Sequence, residues 1–136
     1  SGIKSLTDTT QATSSTTGCL ILSGGVGVAK DIRCAGDAYA LSHVSTSDAR
    51  LKKNVVTIGN AMSIVNKLEP VYFNWLDSAV CKKQKAGFLA QQVKQIVPES
   101  VMENGDHLSL DYQHLNSILF KAVQELSARV SELEKK

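Results

Sequence analysis

The stretch Ser47-Asp48-Ala49-Arg50-Leu51-Lys52-Lys53-Asn54 divides the chain in two. Before it the sequence is rich in Ser, Thr and Gly and poor in charge; after it the sequence is charged and patterned for helices. The octapeptide sets a serine hydroxyl and a lysine amine five positions apart. Such a pair is a minimal nucleophile-and-base set, because desolvation lowers the pKa of a lysine until it can take the hydroxyl proton. Spacing alone does not establish that chemistry, since most serines near lysines are solvated loop residues. A fully extended chain also leaves the two side chains roughly 15 Å apart. The pair therefore requires either a turn between Ser47 and Lys52 or a lysine from a partner chain.

Upstream, residues 1–46 read as strands and turns. Apolar and β-branched residues in Gly18-Cys19-Leu20-Ile21-Leu22-Ser23-Gly24-Gly25-Val26-Gly27-Val28-Ala29 sit between glycines, which favours short strands joined by tight turns. The run Gly24-Gly25-Val26-Gly27 is not a phosphate loop: Lys30-Asp31 supplies no Lys-Ser/Thr ending, and another strand-like segment follows instead of a helix. Isolated strands leave unpaired edges that neighbouring strands must close.

Downstream, Val55 and Val56 suggest a short strand. Ile58, Ala61, Met62, Val65 and Leu68 recur at helical spacing and predict an amphipathic helix ending before Pro70. Val71 to Trp75 and Ala86 to Leu89 read as strands, separated by a polar loop around Cys81 to Lys85 whose Lys82, Lys83 and Lys85 suit a solvated tip. Ala90 to Ile96 reads as a short helix. Ser100 to Met102 and Leu108 to Leu110 flank Asn104-Gly105, a hairpin signal. From Asp111, a suitable N-cap, no Pro or Gly interrupts the sequence to Lys136. A heptad frame over this segment puts Asn116, Val123 and Val130 at a and Tyr112, Leu119, Leu126 and Leu133 at d, a coiled-coil seam. Arg129 and Glu134 suit pairing across chains. Leu115, Phe120 and Ala122 widen the apolar face near its start, so this half is expected to pack on the domain as well.

These segments together carry a resemblance. Ser47-Asp48-x-Arg50-Leu51-Lys52, Val71-Tyr72-Phe73-Asn74-Trp75, Gly87-Phe88-Leu89-Ala90-Gln91-Gln92-Val93 with Pro98-Glu99, and Leu110-Asp111-Tyr112 occur in the order seen in self-cleaving intramolecular chaperone domains of viral tailspikes and tail fibres, the endosialidase type. The resemblance implies an α+β chaperone domain at residues 47–136 with a trimerising helix at 111–136. Residues 1–46 become the end of a β-prism-like shaft, and the whole an intertwined homotrimer. It implies that Ser47 is the catalytic serine, Lys52 its general base, and Ser47-Asp48 the bond that is cut. The trimer seam is then Leu119, Val123, Leu126, Val130 and Leu133. Val at a with Leu at d would by itself lean toward two strands, so the expectation of three chains comes from the resemblance. Arg50 is expected to orient this segment or stabilise oxyanion charge, the alternative being an ion pair with Asp48 or Glu99. Leu51 is expected as a buried anchor and Lys53 as solvated.

Composition bounds the remaining possibilities. The chain has 136 residues and a net charge of +2, with Lys and Arg dispersed, so no basic stripe points to nucleic acid. No run of about 20 apolar residues spans a membrane, and the N-terminus has no charged-then-apolar signal pattern. The chain reads as a piece of a longer polypeptide. Cys19, Cys34 and Cys81 suit neither a disulfide framework nor a zinc site and are expected as reduced apolar fillers, consistent with assembly in the host cytoplasm. His43, His107 and His114 lack metal-ligand spacing, and His43, four residues before Ser47, reads as an exposed linker residue. No metal or cofactor is expected. The expected partners are two further copies of the chain and its own upstream portion. The resemblance implies that the upstream product belongs on the virion tail, with the chaperone fragment released. The rival reading is an uncut trimeric cap of a viral fibre. A membrane-tethered transcription factor, which also carries a related domain, would require DNA-binding and transmembrane segments that these residues do not contain.

Overall fold

A computed structural model describes residues 2–76 and 83–136. The chain forms two compact units, the first ending at Tyr39 and the second running from Ala40 to Lys136.

The described residues of the first unit form neither helix nor strand. Local order comes from hydroxyls: Thr17 Oγ1 accepts from Thr13 N at 2.7 Å and Ser14 N at 2.9 Å, and Thr17 N reaches Ser14 O at 3.4 Å. Gly18 follows at a φ of 116°, which side-chain-bearing residues rarely adopt. The short strands expected here do not form in the single chain. Leu20, Ile21, Leu22, Val26, Val28 and Ile32 are exposed instead. A strand gains its hydrogen bonds only from a neighbouring strand, and this unit offers none.

Among the described residues, the second unit holds seven α-helices and β-strands. In chain order they are α1 (Ala61–Val65), β1 (Val71–Phe73), β2 (Lys85–Gly87), α2 (Ala90–Ile96), β3 (Val101–Asn104), β4 (His107–Leu110) and α3 (Tyr112–Glu134), an α+β arrangement. Val55 and Val56 form no strand and face solvent. The helix expected from Ile58 is shorter at both ends. Asn60, in the left-handed region at a φ of 54°, starts it, and after Val65 the hydrogen bonds tighten through Lys67 N to Ile64 O and Leu68 N to Val65 O. β1 stops at Phe73, and Trp75 packs edge-on against the Phe73 ring at 5.4 Å. The expected positions of Cys81 and Lys82 lie outside the described residues.

β1 and β2 pair antiparallel with Val71 opposite Gly87 and Phe73 opposite Lys85. β3 and β4 form a hairpin with Val101 opposite Leu110 and Asn104 opposite His107. Its turn is Gly105-Asp106, one residue later than the Asn-Gly signal suggests. Gly105 takes the positive φ of 74° that the first central residue of such a turn requires. α2 matches its expected span. Pro98 ends it by pushing Val97 out of helical geometry, to φ −136° and ψ 71°, and opens a 3-10 turn, Pro98–Ser100.

α3 is the element on which the domain is built. Asp111 caps it, its Oδ1 accepting from Gln113 N at 2.9 Å and His114 N at 3.1 Å. One stripe of its first half, Leu115, Ile118 and Ala122, closes a small core with Ala61, Val93 and Val97, against which Phe88, Val101 and Leu110 pack. α1 lies along this part of α3 and takes its cap from it. Asn60 makes no side-chain cap bond, and Glu125 of α3 accepts from Ala61 N at 3.2 Å and Met62 N at 3.0 Å instead. The Met62 N–H holds the Glu125 carboxyl below its ordinary value; burial opposes it, and the Ala61 N–H and nearby Lys121 add smaller lowering effects.

Candidate active site

Asp48 organises the junction. Its carboxylate caps a 3-10 turn, Ala49–Leu51, by accepting from Arg50 N at 2.8 Å, and the turn closes through Leu51 N to Asp48 O and Lys52 N to Ala49 O, each 3.1 Å. Three residues of tight turn reverse the offset that an extended chain would impose. Lys52 Nζ consequently comes to 2.6 Å from Ser47 Oγ, donating to the hydroxyl. The turn required between the two residues is present, and both belong to the same chain.

Arg50 reinforces the same turn. Its Nη2 meets Asp48 Oδ2 at 2.6 Å, and its Nε lies 3.1 Å from both carboxylate oxygens. This hydrogen bonding holds the Asp48 carboxyl below the usual carboxylate range and raises the Arg50 guanidinium above its own. Both groups are open to water, so the pair shapes the turn more than it stabilises the fold. Of the two ion-pair partners considered from the sequence, Asp48 is the one engaged.

Leu51 corrects an expectation. It is 76% exposed, since the short turn that holds it buries none of its residues against the described chain. The orientation of Lys52 therefore comes from the Asp48 cap, not from an apolar anchor. Lys53 is exposed as expected, and Asn54, at a φ of 54°, redirects the chain beyond it. Ser47, Lys52 and His43 are all exposed in the single chain. Cys19 and Cys34 are exposed free thiols, which corrects their reading as apolar fillers, and Cys81 lies outside the described residues. Among the described residues no cluster of His, Cys, Asp and Glu could hold a metal ion, and no helix is long and apolar enough to cross a membrane.

The second feature of interest is the other face of α3. Leu119, Val123, Leu126, Val130 and Leu133 are between 44% and 60% exposed. They form one stripe, displaced by about 70° around the helix axis from the buried stripe of Leu115, Ile118 and Ala122. Tyr112, placed in the same seam by the heptad frame, turns toward the body: its hydroxyl accepts from Phe88 N at 3.4 Å and its ring meets that of Phe88 at 6.3 Å. A Cβ on Gly87 would lie 2.6 Å from that hydroxyl, so glycine makes room for it.

Two contacts near the junction escaped sequence reasoning. The Asp48 cap was available from the Asp-x-Arg spacing, since Asp commonly binds the backbone two residues on. The other, between Ser45 and Gln113, joins residues 68 positions apart and has no local signature.

Comparison with known proteins shows which sequences this chain resembles. Residues 47–102 match the family profile described as chaperone of endosialidase, whose short name classes it with peptidases. The long tail fibre protein Gp37 of Enterobacteria phage K3 is 34% identical over 114 residues, covering 74% of this chain and 9% of that protein. A probable tail fibre protein of Escherichia phage Phieco32 is 34% identical over 107 residues, covering 72% of this chain and 14% of the relative. Gp37 of Enterobacteria phage M1 is 30% identical over 96 residues, covering 65% and 38%. The chain thus spans well under half the length of these relatives. The profile begins at Ser47, the residue just before the Asp48-capped turn that sets lysine against serine, and residues 47–102 of the chain belong to the chaperone of endosialidase family.

Proposed function

We propose that this chain is the chaperone portion of a phage tail fibre, which trimerises through α3, aligns the three upstream chains, and then releases itself by cutting Ser47-Asp48. The observation that carries the reading is the 2.6 Å contact of Lys52 Nζ with Ser47 Oγ inside the family match. The fibre relatives support the client, and the exposed apolar stripe of α3 supports the assembly. Intertwined strands fold slowly because their contacts are distant in sequence, so a template that concentrates three chains removes part of the association cost. The strandless first unit, with its apolar side chains in water, is the form a client takes before partners arrive. Cutting afterwards traps the product kinetically, because the template is gone.

The chemistry is one hydrolysis. Neutral Lys52 would accept the Ser47 hydroxyl proton, reversing the hydrogen bond of the charged form, and return a proton to the departing Asp48 amine. The Ser47-Asp48 C–N bond breaks, one water is consumed, and a carboxylate and an amine are left. A hydroxyl cannot readily attack its own residue's carbonyl, because the ring would have four members. An N-to-O shift would break Thr46-Ser47 instead; to keep the cut at Ser47-Asp48, the Ser47 hydroxyl attacks a neighbouring chain or holds the water that attacks its own. Either route makes cutting depend on assembly, which brings the reacting atoms to near-attack distance and covers an otherwise solvated lysine.

Mass spectrometry of freshly expressed protein tests the reading. Wild type should yield fragments ending at Ser47 and beginning at Asp48, while Ser47→Ala and Lys52→Ala should stay whole as trimers. Lys52→Arg should be nearly inert, since guanidinium stays protonated. Normal cutting in either alanine variant would remove the dyad; a new terminus at Ser47 would move the bond to Thr46-Ser47. In mixed trimers, a Ser47→Ala chain beside wild-type neighbours is cut only by the route between chains. An uncut wild-type trimer would instead support the rival reading, a permanent fibre cap, which the relatives' names as fibre proteins favour.

A further inference from the structure

Ser45 stands two residues before Ser47, and its hydroxyl meets the side-chain amide of Gln113, the second residue of α3. Gln113 Nε2 donates to Ser45 Oγ at 3.0 Å, and Ser45 Oγ lies 3.4 Å from Gln113 Oε1 as a weaker donor. The amide projects from a fixed backbone. Gln113 N is held by Asp111 Oδ1 at 2.9 Å, and Gln113 O accepts from Ser117 Oγ at 3.1 Å. Residues 40–47, which lead into the junction, are exposed and form no regular element.

We propose that Gln113 is a positioning residue for the cut, holding Ser45 so that the scissile segment has a defined place relative to α3. This rests on the autoproteolytic reading above. Ser45 and Ser47 are separated by about 7 Å of extended chain, too short for a displacement at one not to reach the other. α3 carries the apolar stripe through which three chains would align, so a tether from its first turn to the junction transmits the geometry of assembly to the bond. The Asp48 cap sets lysine against serine within the chain, and the Gln113 contact sets that pair against its surroundings. Hydrolysis rates respond steeply to such placement, whereas fold stability responds weakly to one exposed hydrogen bond.

The test follows the fraction of full-length chain cut with time after expression. Gln113→Ala and Ser45→Ala should each slow cutting by about tenfold, with melting temperature, trimer content and the midpoint of the pH–rate profile unchanged, because neither side chain titrates. The double variant should be no slower than either single one, as one contact is lost in all three. Ser45→Thr keeps the hydroxyl and should stay within about twofold of wild type. Cutting of Gln113→Ala at the wild-type rate overturns the positioning role, and so do losses that add in the double variant. Should Gln113→Ala fail to fold, Ser45→Ala, on an exposed segment outside every element, carries the same two outcomes. Ser47→Ala, with Gln113 and Ser45 in place, separates the premises: if it is still cut, the autoproteolytic reading and the positioning role fall together. If it is whole while Gln113→Ala cuts normally, the positioning role falls alone.

Discussion

The two halves of α3 share an apolar spacing but not a fate. In the first half Leu115, Ile118 and Ala122 are buried against α1 and α2, while from Leu126 to Lys136 every residue is exposed. The first half is completed by its own chain. The second has the same kind of residues at the same intervals and nothing of its own chain to cover them. Helical spacing thus states that a face will be buried, not by what. In the proposed trimer the first half maintains the domain and the second recruits neighbours, and Glu125, capping α1 at the point where they meet, links the two tasks.

That division can be broken by substituting each half separately. Leu126→Asp has the largest expected effect. It would place three charges in one layer of a trimer, at a cost of several kcal/mol, and convert it wholly to monomers that neither cut nor order their upstream strands. Circular dichroism should still report a folded domain, since Leu126 is exposed in the single chain. Light scattering that still finds a trimer would refute the seam. Ile118→Ala should do the opposite: it empties part of the core and lowers stability by about 2–4 kcal/mol whether or not chains associate. A denaturant midpoint that does not move would show that the first half is not the domain's own.

A smaller effect sharpens the boundary. Ser100 is fully buried, and its Oγ has no hydrogen-bond partner among the described residues. Ser100→Ala should stabilise the domain by about 1 kcal/mol and leave association unchanged. Smallest is the response at Glu125. Its carboxyl titrates below the ordinary value when folded, so the stabilisation is present above about pH 4.5 and is lost as pH falls through the lowered value. Glu125→Gln should flatten the acid limb of the stability profile, and a profile identical to wild type would show that the cap is not used in solution.

Legibility followed the range of the interactions. α2, the β3–β4 hairpin and α3 with its Asp111 cap were readable because periodicity, a glycine at a turn and a carboxylate before a helix all act within a few residues. The strands expected near Cys19 to Ala29 and at Val55-Val56 failed for one reason: strand propensity describes suitability for a sheet, and the neighbour must come from elsewhere. Leu51 failed likewise, an apolar residue that the described chain leaves exposed.

Sequence alone therefore determined the division at Ser47, the need for a turn before Lys52, the order of the later elements and an apolar seam along α3 that widens near its start. All of these follow from the chemistry of neighbouring residues. Only the tertiary structure decided which stripe the chain covers for itself, that Glu125 caps α1 from 64 residues away, and that Gln113 reaches Ser45 from 68. Contacts across such distances depend on where the core brings two segments, and no local pattern of side chains encodes that meeting.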